Sequence, residues 1–133
     1  MDADTDRATI VTVVLASAFA LAIGAAVGFI TTFTHRGLPP WGLVAGLGVI
    51  LALVLGFRLV FASRIIGAAA AVGVVGATAL LTLPGAGGIV FPIEDPIGYA
   101  WAVGPALLSL IALAWPSAVA RRARSAARSR MDP

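Results

Sequence analysis

Ile65-Ile66-Gly67-Ala68-Ala69-Ala70-Ala71-Val72-Gly73-Val74-Val75-Gly76-Ala77-Thr78-Ala79-Leu80-Leu81-Thr82-Leu83 is the stretch on which the fold turns. None of these residues is charged, and a helix of about 20 apolar residues crosses a ~30 Å hydrocarbon core. Inside lipid no water can pair with the backbone, so a segment of this kind must satisfy its own hydrogen bonds as a helix. Three more stretches read the same way, Thr9–Thr34, Trp41–Phe61 and Gly98–Val119. The expected fold class is all-α, an integral membrane four-helix bundle.

The composition of the whole chain agrees. Of its 133 residues 60% are apolar and 11% charged, whereas a water-soluble domain carries about 25% charged residues. So few charges cannot coat a water-facing surface, and the lipid bilayer is the expected partner. The sequence pI of about 11.1 would point to nucleic acid in a soluble protein. Here the basic residues flank apolar spans, so membrane topology accounts for them and no nucleic-acid partner is expected. There is no Cys, which removes disulfides and thiolate chemistry.

Turn chemistry separates the spans. Thr34 to Pro40 closes the first and opens the second, with Pro39 and Pro40 suited to a first helical turn. Ala62-Ser63-Arg64 is too short for anything but a tight antiparallel hairpin. Pro84 to Pro96 is the longest connection, punctuated by Gly85, Gly87, Gly88 and Pro92. Residues 1–8 form a short acidic leader, 9–120 the transmembrane domain and 121–133 an Arg-rich tail. The acidic leader and the long first apolar run fit an anchor better than a cleaved signal peptide, which starts basic and carries ~7–15 apolar residues. The first span is the longest, and is expected to tilt or protrude.

Orientation follows from Arg. Basic residues gather on the cytoplasmic side of membrane proteins. With both termini inside, that side holds Arg7, Arg58, Arg64, Arg121, Arg122, Arg124, Arg128 and Arg130, and only Arg36 lies outside. The expected localisation is the plasma membrane, multi-pass, with both termini cytoplasmic. Arg58 sits about a turn from the end of span two and is expected to snorkel to headgroups. Arg64, Arg121, Arg122 and Arg124 are further candidates for lipid headgroup contact, the last three in a tail attractive to anionic lipid.

Helices in lipid associate through close approach of small residues. The candidates are Gly24 and Gly28 in span one, Gly42 and Gly46 in span two, and Gly73 and Gly76 in span three. The third span carries small residues on several faces and is expected to sit centrally. Pro105 is expected to kink or loosen span four.

Little in the spans supports chemistry. No acidic residue falls within them, so the usual mark of an ion path or proton relay is missing. The hydroxyls of Ser17, Thr78, Thr82 and Ser109 remain, and such groups commonly bond back to their own helix. His35 is the one histidine; no ligand set has metal spacing and no nucleophile has a base nearby, so neither a cofactor nor an enzyme activity is expected. Small multidrug antiporters need an embedded carboxylate, quinone-linked thiol oxidoreductases a Cys pair, and small fluoride channels polar side chains including Asn. This chain has no embedded carboxylate, no Cys and no Asn, and its Arg distribution is strongly biased. Mixed polar chemistry gathers on the outer face, where His35, Arg36, Glu94, Asp95, Tyr99 and Trp101 form a candidate contact for a partner or a headgroup.

Gly87-Gly88, a short apolar run, Glu94-Asp95 and then Gly98-Tyr99-Ala100-Trp101 resemble a family of small actinobacterial membrane proteins of unknown function. Pro39-Pro40-Trp41-Gly42-Leu43 is similar to that family as well. The resemblance covers nearly the whole chain in length and span number. It implies the four-helix fold and an actinobacterial plasma membrane, and adds no catalytic residue.

Two functional readings follow. One is a non-catalytic accessory subunit or scaffold that works through contact with lipid, with another membrane protein or with a second copy of itself. The other is a small oligomeric transporter or channel for an apolar or weakly polar solute. A dry, closely packed interior favours the first. A water path lined by Thr78, Thr82 and Ser109 favours the second.

Overall fold

The apolar stretches form helices, and the polar and proline-containing segments end them. The structure, a computed structural model, describes residues 3–35, 37–82, 95–116 and 118–131. Five α-helices occur among them: α1 Ala3–Thr34, α2 Trp41–Val60, α3 Arg64–Thr82, α4 Pro96–Ala114 and α5 Ala118–Met131. The first four are long and apolar enough to cross a membrane. The segment from 83 to 94 lies outside the described residues.

Helix boundaries differ from the expected spans for local reasons. α1 takes in most of the acidic leader, with Asp4 and Asp6 in its first turn, where carboxylates complement the positive helix terminus. α4 begins at Pro96, because Asp95 caps it: the Asp95 carboxylate accepts from the Gly98 amide at 2.8 Å. Pro96 then fills the first helical position, where its missing N–H costs nothing. At its other end α4 stops at Ala114, short of the expected Val119. Trp115 precedes Pro116, and the proline ring disfavours a helical residue before it. Trp115 accordingly adopts φ −58°, ψ 128°, and the Arg-rich tail forms a separate helix, α5. Pro105 lies inside α4, buried, with the helix continuing past it.

The turn between α2 and α3 passes through a left-handed backbone conformation at Ala62, φ 48°. Such a residue reverses the chain tightly after a helix and is usually glycine. Ser63 then opens α3, its Oγ accepting from the Ile66 amide at 3.5 Å.

α3 packs against α1, α2 and α4, most extensively against α1. It is also the most buried of the four long helices, as its many small residues lead one to expect. α1 and α3 run parallel. A Cβ on Gly24 would lie 2.1 Å from the Ala70 carbonyl oxygen, one on Gly28 2.7 Å from that of Val74, and one on Gly73 2.2 Å from that of Leu21. Only hydrogen fits at these three positions, so the two backbones touch. Ala20 packs beside Ile66 and Ala70, which sets the start of α3 level with the middle of α1. The N-terminal half of α1 therefore overhangs α3 by roughly 20 Å.

Gly42 and Gly46 are also filled contacts. A Cβ on Gly42 would meet the His35 carbonyl oxygen at 2.7 Å, and one on Gly46 the Trp101 ring at 2.8 Å. Gly76 is not: nothing lies within 4 Å of where its Cβ would be. Its small-residue spacing is real, but its register turns it away from the neighbouring helices. Gly67 and Gly104, not singled out from the sequence, approach Arg58 and Leu47 closely.

Candidate functional site

Two ends of the helix assembly carry polar chemistry. At one end the C-termini of α1 and α3 meet the N-termini of α2 and α4. His35, one residue past α1, is 1% exposed and lies face to face with Trp101 of α4, ring centroids 4.6 Å apart and planes 5° apart. The His35 Nδ1 is 2.6 Å from the Thr32 carbonyl oxygen. A carbonyl can only accept, so this nitrogen carries the proton. The Trp101 indole N–H donates to Thr32 Oγ1 at 3.3 Å, and Thr32 Oγ1 donates to the Gly28 carbonyl at 2.6 Å. His35, Trp101 and Thr32 thus join the end of α1 to the first turns of α4.

This geometry corrects the sequence reading of the outer-face cluster. His35 and Trp101 are internal, since Gly46 opens a space into which the indole fits and burial of a large aromatic is favourable. Asp95 is spent on capping α4. Tyr99 is exposed, as is Trp41. Arg36 and Glu94 lie outside the described residues. Thr32 is the member that sequence analysis missed. It sits at a helix end among other threonines, and only its partners from α4 mark it out.

Beside this cluster α1 and α2 diverge into an apolar groove of about 790 Å³, bounded by Val27, Ile30, Thr31, Leu38, Trp41 and Val49. A smaller groove of about 320 Å³ lies on α2 around Ala52, Gly56 and Phe57. Neither is lined by Thr78, Thr82 or Ser109, all of which are buried. Thr82 bonds back to the Thr78 carbonyl at 2.8 Å. The hydroxyls of Ser17, Thr78 and Ser109 are buried without a partner among the described residues.

At the opposite end lies Arg58. It is buried, 6% exposed, against the expectation that it snorkels to headgroups. Its guanidinium donates through Nη1 to the Ala112 carbonyl and through Nη2 to the Trp115 carbonyl. The first lies in the last turn of α4 and the second on its C-cap residue, where carbonyls have no partner within the helix. Gly67 permits the approach, with α3 passing against the Arg58 stem. The helix terminus carries partial negative charge, which favours the buried cation where no carboxylate among the described residues pairs with it.

The other basic residues near this end behave differently. Arg64 is exposed at the start of α3, and Arg122, Arg128 and Arg130 are exposed on α5. The side chains of Arg121 and Arg124 lie outside the described set. Among the described residues no three His, Asp or Glu side chains gather where they could hold a metal ion.

No protein-family model, no curated protein and no solved structure matches this chain.

Proposed function

We propose that this chain is a non-catalytic integral membrane protein, an accessory subunit or scaffold that works by contact with a second membrane protein or with lipid. One observation carries the reading: the strongest polar groups within the spans are engaged with the protein itself. Arg58 caps α4, His35 and Trp101 pair with Thr32, and Thr82 bonds back along its own helix. What is left for recognition lies on surfaces, not along a path through the interior. The reading includes a four-helix bundle in an actinobacterial plasma membrane, with both termini cytoplasmic. The His35 end then faces outward and the Arg58 end inward, as the Arg distribution supports.

The alternative, a small oligomeric transporter or channel, draws on one observation, the buried hydroxyls of Ser17, Thr78 and Ser109 that have no partner among the described residues. Two measurements on the full chain separate the readings. In mild detergent from its native membrane it should co-purify in fixed ratio with a second membrane protein or as a defined oligomer. In proteoliposomes it should release small apolar and weakly polar solutes no faster than protein-free vesicles do. A solitary chain that speeds solute release overturns the proposal in favour of the alternative.

A further inference from the structure

Among the described residues the C-terminal helix, α5, makes no extensive contact with the other four. α4 ends at Ala114, with Trp115 turned out of the helix ahead of Pro116, and α5 is a separate helix. α5 is the most strongly amphipathic of the five helices. Its register puts positions 120, 123, 127 and 131 on one stripe, three Ala and a Met. The rest of the helix holds Arg121, Arg122, Arg124, Arg128 and Arg130, two Ser, and Ala118, Val119 and Ala126, and no acidic residue falls within it.

Its described side chains are exposed, and no ion pair among the described residues ties Arg122, Arg128 or Arg130 to the rest of the protein. Trp115 and Phe61 are exposed at the same end, beside exposed Arg64. Trp settles at the boundary between hydrocarbon and headgroups, which places Trp115 there. Two residues separate Trp115 from the start of α5, so α5 begins at headgroup depth.

From this we infer that α5 is a surface-lying helix that docks on the anionic phospholipid headgroups of the leaflet from which it emerges. Its narrow stripe of Ala and Met sinks only shallowly, so apolar insertion alone holds it weakly. Attraction between the Arg side chains and anionic headgroups supplies the rest. The helix therefore lies on the membrane where anionic lipid is present and lifts off where it is absent or salt screens it. The inference rests on the membrane-spanning reading of α1 to α4 and is independent of the accessory role.

The test uses the absence of native cysteine. Ala127→Cys, on the apolar stripe, carries an environment-sensitive fluorophore in the full chain. The labelled protein is reconstituted into nanodiscs of phosphatidylcholine alone or mixed with phosphatidylglycerol. The expected result is a blue shift and protection from an aqueous quencher only with phosphatidylglycerol, reversed by high salt. Replacing Arg122, Arg128 and Arg130 with Ala should lower the docked-to-free ratio by about 5-fold per Arg removed. The corresponding Lys variant should retain docking, because headgroup attraction needs charge and not a guanidinium. Equal protection in both lipids overturns the inference, since α5 would then be held by protein contact or apolar insertion. So does protection in neither lipid, or a Lys variant that behaves like the Ala variant.

Discussion

Arg58 and the carbonyls it serves are far apart in sequence, 54 residues for Ala112 and 57 for Trp115. From the sequence, a cation a turn from the end of an apolar run reads as a snorkelling side chain, because headgroups are the nearest visible partner. Its actual partner is the C-terminus of another helix, a feature that no residue type announces. His35 and Trp101 follow the same logic: both read as interfacial from their positions, and a glycine on a third element draws the indole inside. The cap gives a direct prediction. Arg58→Met leaves the buried Ala112 carbonyl and the partly buried Trp115 carbonyl without this donor and should cost about 2–3 kcal/mol in detergent unfolding titrations. Arg58→Lys should recover only part of this, since a compact ammonium cannot reproduce the fork. A methionine variant as stable as the parent would show that the cap does not hold α4.

At the scale of elements, the parallel contact of α1 with α3 is the closest in the protein. Lipid tails offer no solvent-driven reason for two helices to pair, so van der Waals contact between backbones must supply it. Gly24, Gly28 and Gly73 make that contact possible. Small-residue spacing alone marked Gly73 and Gly76 equally, yet the first meets backbone and the second meets nothing. A paired substitution exposes the difference. Gly73→Ala forces the two backbones apart and should lower stability by about 1–3 kcal/mol. Gly76→Ala should cost nothing, and can gain up to about 1 kcal/mol because Ala favours the helix over Gly. Equal losses at both positions in the same unfolding titration would refute the assigned seam.

The whole molecule is a set of four apolar helices with unequal reach. α1 overhangs its neighbours, exposing Ile10, Val11, Val14 and Leu15 beyond the start of α3, while α5 leaves the end of α4 as a separate basic helix. Under the proposed orientation both features lie toward the cytoplasmic face. Orientation itself is tested by a reporter active only outside the cytoplasm. Fused after Pro133 it should be silent, and inserted at Gly87 it should be active; the reverse pattern would invert the molecule and place the basic helix outside.

Span number, helical class and the charge asymmetry were all legible in the amino-acid sequence. Each rests on one-dimensional quantities: the length of an apolar run, the cost of unpaired backbone in lipid, and which loops carry Arg. The breaks at Pro116 and before Pro96 were also local in cause, although their exact helix ends needed the cap of Asp95 and the extended backbone of Trp115. Which glycine faces a neighbour, where Arg58 finds its acceptors and why His35 lies inside were decided by tertiary structure alone. Those outcomes depend on the rotation and depth of one helix against another. That geometry is set by the sum of many small contacts between residues distant in the chain, and no periodicity within a single helix records it.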